Sequence, residues 1–192
     1  MRFAALILGL TLFVTATPVA QSAGIKQTTW EIERELLALT SYGVFDYVAF
    51  DVDRGKVTLY GYAYNNLKSD AERAVKRVPG VDMVDNRIEQ LPASPADDQI
   101  RWATFYKIYG DSFLSRYSPG GPMAARYELV QSRRFPGLQP FGTYPVHIIV
   151  KNGRTTLMGA VDSHMDKRMA EVRAREIPGV FSVENELVID NE

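Results

Sequence analysis

Val52-Asp53-Arg54-Gly55-Lys56-Val57-Thr58-Leu59-Tyr60-Gly61 and Val150-Lys151-Asn152-Gly153-Arg154-Thr155-Thr156-Leu157-Met158-Gly159 are two versions of one segment, 98 residues apart. Each reads as a strand end, a tight turn and a return strand. Gly55 and Gly153 sit where a hairpin needs positive φ. Valine, threonine and leucine then alternate up to a second glycine, Gly61 or Gly159. Further on, Pro79-Gly80-Val81 matches Pro178-Gly179-Val180, and Val84-Asp85-Asn86 matches Val183-Glu184-Asn185, each pair 99 residues apart. One residue therefore enters the second copy between Gly159 and Pro178. A set of matches in one order marks an internal repeat, and a repeat governs every other reading of the chain.

Outward from the hairpins, each copy reads helix, strand, strand, helix, strand. In copy one, Thr28-x-x-Glu31 has the spacing of a capping box opening the first helix. Ile32, Leu36, Leu37 and Leu39 follow at helical spacing. Val48, Phe50 and Val52 alternate with Ala49, Asp51 and Asp53, the period of a strand with one buried face. Leu67, Ala71, Ala74, Val75 and Val78 make an apolar stripe on a second helix, with Lys68, Glu72, Arg73 and Lys76 outside it. Pro79-Gly80 ends that helix. Copy two opens with a helix predicted over residues 98–117. Its second helix, about 163–177, has Met165, Met169, Ala170, Ala174 and Ile177 as its apolar face. The expected fold class is α+β, with two tandem αββαβ units, each a three-stranded mixed sheet with helices on one face. Units this small bury a modest core, so packing of one on the other is expected.

The expected domains are a signal peptide at 1–23, a first unit at 24–92, a Pro-rich linker at 93–97 and a second unit at 98–192. Copy two carries an insertion at about 118–145 where copy one has only a few residues. Arg2 followed by the apolar run Phe3 to Val14 has the form of a cleaved secretory signal. Ala20-Gln21-Ser22 fits a cleavage site, as does cleavage after Ala23. The run falls short of the roughly 20 apolar residues a membrane-spanning helix needs. There are no cysteines, which excludes disulfides, thiolate metal sites, cysteine nucleophiles and a lipoprotein anchor. The formal charge is -1. That near-balance argues against a nucleic-acid partner, which favours a strongly basic face.

From about residue 29 to 190 the chain resembles a tandem BON (bacterial OsmY and nodulation) protein. The hairpin glycines Gly55 and Gly153, the strand glycines Gly61 and Gly159, and the Pro-Gly-Val turns containing Gly80 and Gly179 carry the resemblance. Asn86 and Asn185 in the last strands complete it. The resemblance implies a periplasmic binding module that associates with phospholipid membrane or an envelope protein, in envelope or osmotic stress. It implies no catalytic residues and no cofactor. The glycines are read as structural.

Two clusters stand out beyond the repeat. Trp102, Phe105, Tyr106, Tyr109, Phe113 and Tyr117 follow the first helix of copy two, with Arg101, Lys107 and Arg116 among them. Aromatic rings with basic neighbours suit a membrane interface; the same spacing suits a core stripe, with Arg101 and Arg116 left exposed. In the insertion, Arg133-Arg134-Phe135, with Leu138 and Phe141, reads either as a lipid-headgroup contact or as a solvated loop with its aromatics tucked in. The membrane- or partner-binding residues expected are thus Arg133, Arg134, Phe135, Arg101, Arg116 and Tyr117. His147 and His164 lack a third ligand, and Asp46, Asp51 and Asp53 lack the rest of a calcium loop, so no metal is expected. No nucleophile or phosphate-binding motif is present, and the chain is read as a non-enzyme. A protein-binding or chaperone-like periplasmic module is the alternative.

Overall fold

A computed structural model describes residues 18–119 and 144–190, with side chains from residue 26. The first unit comprises α1 (Pro18–Leu37), β1 (Tyr47–Asp53), β2 (Lys56–Ala63), α2 (Leu67–Val75), β3 (Met83–Asn86) and the short β4 (Glu89–Gln90). The second comprises α3 (Pro95–Tyr109), a 3-10 turn (Leu114–Tyr117), β5 (Val146–Lys151), β6 (Arg154–Val161), α4 (His164–Arg175), β7 (Ser182–Asn185) and β8 (Val188–Ile189). The architecture is α+β, and the two units repeat one topology.

In each sheet the second strand is central. β2 runs antiparallel to β1 and parallel to β3 and β4; β6 does the same with β5, β7 and β8. The third strand of each unit keeps one register but breaks opposite the strand glycine. Asn86 marks the break. Its side-chain amide donates to Lys68 O (2.9 Å) and Glu72 Oε2 (3.0 Å), and its Oδ1 accepts Ile88 N. Asn185 makes the same three bonds, to Lys167 O, Glu171 and Leu187 N. This asparagine therefore ties the interrupted strand to the helix above it in both units.

The strand glycines are required by close backbone approach. Gly61 has φ +124 and Gly159 φ +112, and a Cβ at either would lie 2.0 Å from the carbonyl oxygen of Tyr47 or Pro145. The hairpins turn in two residues, Arg54-Gly55 and Asn152-Gly153, all four with positive φ, which matches the twist of the flanking strands.

Helices cover one face of each sheet. In unit one Ile32 and Leu36 of α1, Leu67, Ala71 and Val75 of α2, and Val57, Leu59 and Ala63 of β2 form the core. In unit two the core joins Ile100, Phe105 and Ile108 of α3, Val146, Ile148 and Val150 of β5, and Ala170 and Ala174 of α4. That second core also takes in Val44 and Phe45 from unit one. The aromatic stripe of α3 is thus largely core, the blander of its two readings.

Several boundaries differ from expectation. The capping box at Thr28 does not form: α1 runs through that position, and the Thr28 hydroxyl instead reaches Pro79 O at 3.5 Å. α1 also starts at Pro18, ahead of the expected cleavage positions. α3 begins inside the expected linker, because Ser94 caps it by accepting from Asp97 N and Pro95 fits the first turn. It ends at Tyr109, short of the expected 117; Gly110 caps it, and Asp111 turns the chain by accepting from Phe113 N and Leu114 N. Met165 leaves the apolar stripe of α4. Asp166 takes the inward position in the first turn, exchanging bonds with the capping Ser163.

Candidate functional site

The units meet through the segment between α1 and β1. Val44 and Phe45 are fully buried, and Val44 O accepts from Ile148 N at 2.8 Å. Asp46 holds the segment's shape by accepting from Gly43 N (3.0 Å) and Tyr64 N (2.6 Å). It is thus a structural carboxylate. The Phe45 ring lies edge-on against Trp102, Phe105 and Tyr64. His147 stacks on Tyr42 and meets the edge of Tyr47, and Tyr42 Oη lies 3.4 Å from its Nε2. Burial pushes His147 down to about 4, against a smaller opposing pull from the backbone carbonyls of Gly43 and Asp46. The imidazole is neutral at ordinary pH, as an aromatic filler of this joint must be. Lys151 and Glu89 add an exposed ion pair between the units, 2.5 Å.

This packing accounts for Arg101. The structure buries it completely, contrary to the expectation of an exposed cation. Its guanidinium donates to Val150 O (2.5 Å), pairs with Asp98 (2.5 Å) and covers the Tyr64 ring. Val150 O points out from the edge of β5. So do Val146 N and O, which both bond the Tyr109 hydroxyl, at 3.1 and 2.6 Å. An edge strand exposes a row of unpaired backbone groups. Here Tyr109, Val44 and Arg101 take that row in turn, and Arg101 is not available to a lipid surface.

Arg116 and Tyr117 belong to another structural cluster. Tyr117 is buried; its hydroxyl donates to Asp166 (3.0 Å) and accepts from Asp162 N (2.8 Å). Burial raises its pKa, helped by the Asp166 carboxylate. Arg116 is half-exposed, pairing with Asp166 and lying 3.5 Å from Asp162. Arg116 is thus exposed as expected, with its charge shared with two carboxylates at the start of α4. Arg133, Arg134 and Phe135 lie outside the described residues.

Around this cluster the surface is apolar and cationic. Phe113, whose carbonyl accepts from Arg116, is 64% exposed, and Met165, next to Asp166, is 65% exposed. Along α4, Met165, Arg168 and Val172 succeed one another at three and four residues, so they share one outward stripe. Val172 is 43% exposed, and Arg168 is exposed without an ion pair among the described residues. The equivalent helix α2 presents no exposed large apolar residue. This stripe was missed in the sequence because Met165 was assigned to the core; Val172, seven residues on and on the same face, was the available signal.

A model of the BON domain matches residues 48–92 and 133–191. The chain belongs to the BON domain family. The BON domain is a non-catalytic binding module, known to bind phospholipid and to occur in periplasmic envelope proteins. Both BON units carry the turn and strand glycines and the bridging asparagine described above. Two solved structures are similar to this chain. One is of CdsD, a structural protein of the type III secretion system of Chlamydia trachomatis, at 16% identity over 85% of this chain and 92% of that one, with a TM-score of 0.28. The other is the C-terminal domain of CdsD, at 15% identity over 83% and 96%, with a TM-score of 0.25. No curated protein matches the chain. No helix among the described residues is long and apolar enough to cross a membrane, and none of their His, Asp and Glu residues cluster as metal ligands.

Proposed function

We propose that this tandem BON protein is exported to the periplasm by a cleaved signal peptide and there associates reversibly with the phospholipid surface of the envelope. Its second unit makes the contact. The supporting observation is the outer face of α4 with its neighbour Phe113. Phe113, Met165 and Val172 offer apolar side chains to the headgroup boundary, while Arg168 offers a cation without an ion pair among the described residues. A cation among exposed apolar groups suits an anionic interface, where each basic residue near the surface is worth about 1 kcal/mol. Arg133, Arg134 and Phe135, the cations and ring expected from the sequence, are assigned to the same contact. The role is carried by binding alone, in response to envelope or osmotic stress.

Co-sedimentation of the mature protein with vesicles tests this reading. Binding is expected with anionic vesicles, weakened by salt, and absent with purely zwitterionic ones. Met165→Ser combined with Arg168→Glu should abolish it, as should Arg133→Glu with Arg134→Glu. Absence of binding to every vesicle composition at low salt would refute the proposal, as would binding that none of these changes weakens.

A further inference from the structure

The two units differ at the outer edge of their first strand. In unit two Val146 N and O, Ile148 N and Val150 O on that edge all have partners, and the space between it and α3 is filled by Phe45, whose ring centroid is 5.0 Å from Trp102. The register aligns Val48 with Gly61 just as Val146 aligns with Gly159, so Val48, Phe50 and Val52 are the outward residues of β1. Val48 N bonds the Tyr42 hydroxyl, as Val146 N bonds Tyr109. There the likeness stops. The outward backbone groups of Phe50 and Val52 have no hydrogen-bond partner among the described residues. Between β1 and α1 lies an open groove of about 390 Å³, lined by Glu33, Leu36, Leu37, Tyr42 and Phe50. It is continuous with the joint between the units through Tyr42, which stacks on His147. Glu33 lines it and Asp51 stands on the opposite face of β1; both carboxylates are exposed and without ion pairs among the described residues.

We propose that this edge and groove take an extended peptide segment of alternating apolar and basic residues, added as a strand beside β1. The chain contains a partial template: Val44, in a turn, gives one backbone bond to the edge of β5, and Phe45 fills the space against α3. Side chains on an added strand alternate, so one set enters the groove against Leu36 and Leu37 and the other faces Asp51. Backbone bonds to Phe50 and Val52 supply affinity, and Glu33 and Asp51 select the charge. This site is on unit one, and it stands or falls separately from vesicle association through α4.

The test titrates the full mature protein with a fluorescent peptide in which lysine alternates with valine and phenylalanine. Saturable binding is expected, with slowed amide exchange at Phe50 and Val52. The glutamate-for-lysine peptide should bind at least about 10-fold more weakly. Val52→Pro removes an outward N–H without touching the β2 ladder, and Leu37→Lys places a cation in the groove at a half-exposed position. Each should weaken binding by about 10-fold or more, with thermal unfolding of Leu37→Lys near that of the parent. Unchanged exchange at Phe50 and Val52 under saturating peptide would overturn the proposal, as would binding insensitive to both substitutions. A dimer that forms without peptide and is lost in Val52→Pro would overturn it in favour of a second copy of the chain.

Discussion

His147 makes the joint between the BON units sensitive to acid. It is buried between Tyr42 and Tyr47, with its pKa pushed down from 6.5 to about 4 by loss of water. Below pH 6.5 the unfolded chain takes up a proton that the folded chain refuses. Stability therefore falls as pH drops from 6.5 to about 4, then ceases to change on this account. At 1.36 kcal/mol per pH unit that window amounts to roughly 3 kcal/mol. Urea unfolding between pH 7 and 4 measures it, with His147→Phe as the comparison. The variant keeps the aromatic packing and has nothing to protonate. Carboxylates with lowered pKa, such as Asp85, Glu171 and Glu176, act on both proteins and cancel in the difference. The parent should lose about 3 kcal/mol more than the variant over this range. Parallel profiles would show that the imidazole finds a proton-accepting partner when charged, and would refute the account of the joint as a dry aromatic contact.

Three further outcomes follow from named contacts. Gly159→Ala puts a methyl group 2.0 Å from Pro145 O at φ +112 and should cost more than about 3 kcal/mol in thermal unfolding. Arg101→Met leaves Val150 O and Asp98 without their buried donor, and should cost about 1–3 kcal/mol while vesicle binding stays at the parent level. Asp111 has its pKa lowered: burial works to raise it and is outweighed by Phe113 N, Arg173 and Leu114 N. Its contribution is present above pH 4 and is lost as pH falls through its lowered pKa, so Asp111→Asn should be destabilising at pH 7 and flatter in acid than the parent.

The repeat made the fold legible. Hairpin turns, strand alternation and Pro-Gly stops are local features, fixed by φ, by a missing N–H or by one buried face, and local features are written in short stretches of sequence. The alternation at 48–52 and 146–150 became two first strands in the expected register. Joint residues are legible only in pairs. Nothing local says that Arg101 turns inward, because its reason is a carbonyl 49 positions away on the edge of β5. The same holds for Val44 and Phe45, two apolar residues in a short connection, whose partners belong to the other unit. Met165 was misplaced for a subtler reason: the inward stripe of α4 is Asp166, Ala170 and Ala174 at steps of four, and its first place is taken by a carboxylate held by Ser163 and Tyr117, not by the apolar residue one position earlier.

Duplication produced two sheets with the same exposed edge, and the chain resolved the problem differently in each. Edge strands are a liability because any extended segment completes them. On β5 the chain met this with its own residues: one tyrosine hydroxyl, one backbone carbonyl and one guanidinium, each satisfying outward groups in turn. The device also locks the units together, since the carbonyl belongs to Val44. On β1 only the tyrosine step is retained among the described residues, with Glu33 at the groove beside it. An edge blunted only by charge beside it repels acidic strands and admits basic ones. The difference between the two BON units thus concentrates at α4's outer stripe in one and at β1's open edge in the other, so the two proposed binding surfaces fall on opposite copies of the repeat.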